Sequence, residues 1–196
     1  DYIRNKKPLI INEVKQVLDR IPLRAKDKER LFQFSTGGKM VRGALVILGC
    51  EMFNEEPRLA AAAGMELLHS AILIHDDIID KDKTRRGSPT IHEEYGGGHY
   101  GNSQAICFGD LGIFAFLEAV RGDANLERLF VEEIINTINA EMDDISFPNR
   151  DVEEHEILEM YRNKTGLYTF SLPLLIGAIK QPGLVKKDLR LLGQNL

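Results

Sequence analysis

Apolar residues recur along this chain at helical spacing. Leu9, Ile10, Val14, Val17 and Leu18 predict a helix over 8–18. A more charged helix is predicted over 24–34, broken by Ser35-Thr36-Gly37-Gly38. Met40, Val41, Ala44, Leu45, Ile47 and Leu48 predict another over 39–53, and residues 54–57 read as a turn. The central helix is predicted over 58–82. It carries four successive alanines, 60–63, that allow close packing, and its middle is apolar on all sides, so it belongs inside a bundle. Residues 84–98 read as a loop. Helices follow over 102–120, 126–145, 152–177 and 184–196, separated by Pro148-Asn149-Arg150 and Pro182-Gly183, with Pro173 kinking or ending the longest. No period-2 alternation of useful length occurs. The predicted class is all-α: an antiparallel helical bundle with mostly short connections, one domain over 1–196.

Composition narrows this picture. The 196 residues are 43% hydrophobic and 28% charged, enough for a sizeable soluble core. A net charge of −5 excludes a general nucleic-acid footprint, so any basic chemistry is local. Cys50 and Cys107 sit among apolar residues without metal spacing, which predicts reduced core thiols in a cytoplasmic protein. No transmembrane segment is expected, since no apolar run reaches the length of a membrane span, and no signal peptide is evident. The chain begins at Asp1 without a methionine and stops at Leu196 inside a predicted helix, so it is expected to be part of a longer protein.

The candidate chemistry lies in 67–82. This stretch starts apolar and ends in Asp76, Asp77, Asp80 and Asp82. On a helix Asp76 and Asp80 share a face one turn apart, with Asp77 beside them. Like charges so placed repel, and at a helix C-terminus they also oppose the macrodipole. Acids held there on a rigid element call for a cation, and oxygen-only ligands suit a hard divalent ion such as Mg²⁺. An acidic helix end facing water is the plainer alternative. Thr84-Arg85-Arg86-Gly87 shifts the balance, because metal-binding carboxylates beside paired guanidiniums make a site for a polyanion, most simply a diphosphate.

A second feature is Gly37-Gly38-Lys39-Met40-Val41-Arg42, a glycine turn opening a helix. Backbone N–H groups at such an end favour an anion, and Lys39 and Arg42 are spaced to point at the same one. His69 is the single polar ring in the middle of the central helix. It reads first as a satisfied core histidine, but it lies two turns before Asp76 on the same side, which makes it a candidate ligand contact.

These pieces, with Arg85-Arg86-Gly87-Ser88-Pro89-Thr90-Ile91-His92, Gly109-Asp110 and Lys164-Thr165-Gly166, stand in the order seen in the trans-isoprenyl diphosphate synthases, the polyprenyl synthetase family, and the chain resembles that family over nearly its whole length. The resemblance implies an isoprenoid-synthase-type bundle around a deep central cavity. It implies head-to-tail condensation of isopentenyl diphosphate with an allylic diphosphate, and a homodimer. By resemblance Asp76 and Asp80 ligate Mg²⁺ and Asp77 supports them. Arg85 and Lys164 contact the allylic diphosphate, with Thr165 beside it. Lys39, Arg42, His69 and Arg86 bind isopentenyl diphosphate. The acids and Lys164 form the catalytic set. In the family, bulky residues just upstream of the aspartates floor the product pocket. Here Ala71 is small, Ile72 is medium and Leu68 comes next, so a product of geranylgeranyl length or longer is expected.

Three departures accompany the resemblance. The family usually has Arg where Met40 stands, Pro where Gly43 stands, and often Gln where Glu141 stands. The family's second aspartate-rich motif usually follows a segment like the closing Leu191-Leu192-Gly193-Gln194-Asn195-Leu196, so the C-terminal helices are expected to be missing and the chain alone to be inactive or nearly so. Rival readings are a non-catalytic subunit of a prenyl synthase, a carboxylate-bridged di-metal four-helix protein, of which Glu66–His69 supplies only one Glu-x-x-His, and a terpene cyclase, against which Lys39, Arg42 and Arg86 argue.

Overall fold

Glycine and alanine decide where the helices come closest. In the computed structural model, which describes residues 1–195, the chain divides into two compact units. The first comprises Asp1–Ala44 and Leu59–Val120, the second Leu45–Arg58 and Arg121–Leu196.

The first unit holds α1 (Tyr2–Arg20), α2 (Ala25–Thr36), the start of α3 (Val41–Glu51), α4 (Leu59–Ile79), a minimal hairpin of β1 (Thr84–Arg85) and β2 (Ser88–Pro89), α5 (Ile91–Glu94) and α6 (Gly98–Val120). Its axis is the antiparallel pair α4 and α6. A Cβ on Gly64 would stand 3.1 Å from the Cβ of Ala119, and one on Gly112 would stand 3.0 Å from that of Ala71. One turn further, the ring of His75 fills the space beside Gly109, where a Cβ would fall 2.1 Å from Nε2. Small residues facing each other every second turn thus bring the two backbones together. Ala61, Ala62, Ala63, Met65 and Leu67 are buried around this seam. A satellite core of Phe34, Ile74, Ile91, Ala105 and Phe108, with Leu73, Ile78 and Tyr95 against it, anchors the C-terminal end of α4, where the aspartates lie.

The second unit continues α3 and adds α7 (Ala124–Ser146), a 3₁₀ turn (Phe147–Asn149), α8 (Glu154–Tyr161), a π-helix (Arg162–Ser171), α9 (Leu172–Gly177) and α10 (Gly183–Gln194). Asp123 caps α7 by accepting from the amides of Asn125 and Leu126 at 3.2 Å each. Glu153 and Glu156 form a capping box on α8. Arg190 of α10 is ion-paired with the buried Glu133 of α7. A Cβ on Gly166 would fall 2.7 Å from the carbonyl oxygen of Gly193, so α10 lies flush on the π-helix.

Several elements differ from expectation. The first helix starts at Tyr2 and carries Pro8 in its interior. The helix predicted over 39–53 begins at Val41, because Met40 is buried with a φ of 61° and breaks the regular turn. The central helix ends at Ile79, so Asp80 is the first residue beyond it, although its amide still donates to the Asp76 carbonyl at 2.8 Å. The stretch 84–98 contains the hairpin and α5, and α6 starts four residues earlier than predicted. The helix predicted over 152–177 is three elements. Pro173 donates no N–H, and the preceding stretch is wound as a π-helix. Of the final predicted helix, Leu196 lies outside the described residues. Cys50 is buried, but Cys107 is exposed on α6. α6 is also, among the described residues, the one helix long and apolar enough by length and composition to cross a membrane, a test that core helices pass as well.

Candidate functional site

The chain leaving α4 is folded back by a turn that needs two left-handed residues. Arg86 and Gly87 have φ of 54° and 79° between the paired Arg85 and Ser88, the signature of a type I′ hairpin. Thr90, fully buried, closes the loop: its hydroxyl donates to the Asp82 carbonyl at 2.8 Å and its amide to that of Lys83 at 3.1 Å. The two arginines therefore leave the hairpin toward different partners.

Arg85 turns into the acids. Its Nε donates to Asp77 at 2.5 Å, and one terminal nitrogen lies 3.2 Å from Asp76 and 3.5 Å from Asp82. Asp77 is fully buried, and its Oδ2 has no hydrogen-bond partner among the described residues. Burial pushes its carboxyl upward, against the hydrogen bond and charge of Arg85. Asp76 is partly exposed and Asp80 exposed. Among the described residues no three metal-ligating side chains converge. Two carboxylates one turn apart, Asp80 exposed and Asp76 partly exposed beside Arg85, with Asp77 sealed behind them, fit a hard cation that keeps several waters and takes further oxygens from a substrate phosphate.

Arg86 turns the other way. It donates to the Phe34 carbonyl at 3.1 Å, and its guanidinium lies over Gly38, where a Cβ would fall 2.9 Å from the nearest nitrogen. Lys7 donates to the Gly38 carbonyl at 2.8 Å, fixing the glycine turn from the opposite element. Lys39 is exposed and precedes α3 instead of lying on its first turn, because Met40 intervenes in the left-handed region. Arg42 is on that turn and half-buried. His69 is pushed down to about 3 by burial and then by the charges of Arg42, Arg86 and Arg85. The imidazole is therefore neutral at pH 7.

The sequence missed the anion inside this cluster. Glu66 of α4 is 4% exposed and accepts from the Gly43 amide at 2.8 Å. Burial raises its carboxyl, opposed by the Gly43 amide and by the charges of Arg42 and Arg86. Its legible signal was a lone charged residue inside the apolar run of the central helix.

Lys164 and Thr165 belong to the second unit, on the π-helix. Lys164 Nζ lies 2.6 Å from Asp144 and 2.9 Å from Glu141. Burial alone would lower its pKa, but the bonds it donates to Asp144 and Glu141 outweigh it and hold it above the usual lysine range. Of the three residues expected to set product length, Ala71 is fully buried against Gly112 and Leu68 is 3% exposed, while Ile72 is partly exposed, as are His69 and Asp76.

An all-α chain built this way has the isoprenoid-synthase fold. It superposes on the geranylgeranyl pyrophosphate synthetase of Geoglobus acetivorans with a TM-score of 0.82 at 28% identity, covering 97% of this chain and 64% of that one. A geranyltranstransferase from Thermotoga maritima gives 0.82 at 28% identity, covering 99% and 74%. The chain belongs to the polyprenyl synthetase family, whose sequence profile matches residues 29–196. It is 34% identical over 177 residues to the geranylgeranyl diphosphate synthase of Saccharolobus solfataricus, covering 83% of this chain and 52% of that protein. To the short chain isoprenyl diphosphate synthase of Methanothermobacter thermautotrophicus it is 36% identical over 140 residues, covering 67% of this chain and 42% of the other. The chain thus spans about half the length of the relatives it matches.

Proposed function

We propose that the protein of which this chain is a part condenses isopentenyl diphosphate head to tail with an allylic diphosphate, giving a prenyl diphosphate of C20 or longer. The observation that carries this reading is the division of the first unit into two charged clusters served by adjacent residues of one hairpin. Arg85 serves the acids and Arg86 the glycine turn. An acid-lined site takes a polyanion with metal, and a cation-lined site takes a second polyanion without it. Two such sites fit the joining of two diphosphates better than the hydrolysis of one.

Asp76 and Asp80 would hold Mg²⁺, which when bound supplies neutralisation of the departing diphosphate's charge. Asp77 sits behind them and orients Arg85, which together with Lys164 holds the allylic diphosphate, Thr165 beside it. Lys39, Arg42, His69 and Arg86 hold isopentenyl diphosphate, so that its C=C bond reaches the allylic carbon and a proton is then lost. Ile72, Leu68 and Ala71 bound the growing tail. Val131, Ile135, Ile138 and Met142, exposed at alternating four- and three-residue steps on α7, support a homodimer.

The test is incorporation of labelled isopentenyl diphosphate into longer products by the full-length protein. It is expected to require Mg²⁺ and to fall at least about 100-fold in Asp76→Asn, the scale of losing transition-state charge stabilisation. A full-length protein that forms no longer product overturns the reading.

A further inference from the structure

Helix N-termini attract anions, and that of α3 carries Arg42 and is preceded by Lys39, both assigned above to isopentenyl diphosphate. Two of its amides, however, are already engaged. The Gly43 N–H donates to the Glu66 carboxylate at 2.8 Å, and the Ala44 N–H to the Met40 carbonyl at 3.0 Å. Glu66 is held there by close approach: a Cβ on Gly43 would fall 2.9 Å from the Ala62 carbonyl, and Ala62 lies one turn before Glu66 on α4. The end of α3 is therefore docked on α4 at two points, one a backbone contact and one a charged cap. The guanidiniums of Arg42 and Arg86 both act on this buried carboxylate. A charge withdrawn from water this completely is costly unless donors surround it, so its position is strongly constrained.

We propose that Glu66 is a positioning residue for the isopentenyl-diphosphate subsite. Its carboxylate occupies the Gly43 amide at the end of α3 and fixes the direction in which Arg42 leaves that end, so that the substrate meets the Arg42 side chain and not the Gly43 N–H. This inference rests on the subsite reading given above. It accounts for a glutamate that neither ligates metal nor faces a substrate, yet sits buried in the most apolar part of α4. It also gives Gly43 a task that proline, lacking an N–H, cannot perform.

Two experiments on the full-length protein test this. The first is metal-free calorimetric titration with inorganic diphosphate. Glu66→Asp keeps the charge but draws the oxygen away from the Gly43 amide, and is expected to weaken binding about tenfold, the scale of one lost charge-assisted hydrogen bond. Glu66→Gln keeps the acceptor and is expected to stay within about threefold of wild type. A merely structural role would lower the melting temperature of both variants and leave diphosphate affinity at low temperature unchanged in the folded fraction. The second uses the wild type only. On saturation with diphosphate, the Gly43 amide resonance is expected to stay in place while the Arg42 Nε–H resonance moves. A wild type that binds no diphosphate overturns the subsite reading and this inference with it. Diphosphate binding that is equal in all three proteins, or a Gly43 amide that shifts as far as Arg42 Nε–H, overturns the inference alone.

Discussion

Arg85 and Asp77 form the contact around which the acidic end of α4 is organised. The guanidinium is largely covered and the carboxylate is sealed, with side-chain exposures of 22% and 1%. Removing one partner of such a pair strands the other. Arg85→Gln is expected to destabilise the fold by about 3 kcal/mol, and Asp77→Asn by less, because the guanidinium it leaves still has Asp76 at 3.2 Å and Asp82 at 3.5 Å. Chemical denaturation at pH 7 measures both. The Asp77 carboxyl is already raised above its unfolded value, so any penalty for its charge is absent below the unfolded pKa and grows as pH rises through the folded one. The deficit of Arg85→Gln is therefore expected to shrink on acidification, and a deficit that grows would contradict the assignment.

His69 has the opposite linkage. Its folded pKa of about 3 lies below the usual 6.5, because burial and three arginines resist its protonation. The stability from keeping the ring neutral is complete above pH 6.5 and is lost as pH falls from there toward 3. His69→Gln is expected to flatten the acid limb of a melting-temperature profile. A bound diphosphate adds negative charge to a cluster in which three guanidiniums face one buried carboxylate, so it is expected to raise the His69 pKa, which ring-proton NMR can follow.

Lys164 is held by two carboxylates. Glu141→Gln leaves Asp144 in place and removes one competitor for the ammonium. The KM for the allylic diphosphate is expected to fall by about threefold, the range of a partly exposed ion pair. Steady-state kinetics on the full-length protein decide this, and a rise in KM would show that Glu141 helps to place the lysine.

Product length separates Ala71 from Ile72. Ala71 has Gly112 against it, so Ala71→Phe must push α4 from α6 and is expected to cost about 2 kcal/mol while also shortening the product. Ile72 is partly open, and Ile72→Phe is expected to shorten the product with little loss of stability. Chromatography of the dephosphorylated products, beside denaturation curves, distinguishes the two substitutions.

Much of this was legible from spacing alone. The period of apolar residues located the helices, and the clash of like charges at Asp76–Asp80 drew attention to the end of α4 as a place for a metal cation; that Arg85 itself turns into those acids was not read from it. What spacing did not reveal depends on contacts across the chain. Nothing local announces that Met40 turns left-handed, which moves Lys39 off α3. The π-winding at 162–171 accompanies Gly166 pressed on Gly193, a pair far apart in sequence. Cys107 sits among apolar neighbours in the chain, yet its position on α6 faces outward, since only one side of that helix meets α4. Glu66 was readable as odd but not as a cap, because its partner amide lies on another helix.

The unequal setting of the two thiols offers a handle for following this protein. Cys107 is open to reagents, whereas Cys50 is sealed and its ionisation suppressed by burial. A maleimide dye added under native conditions is expected to attach once per chain, on α6. α6 is the helix whose glycines seat His75 and Ala71, so the dye would report from the helix packed against the acid-bearing α4 without any engineered mutation.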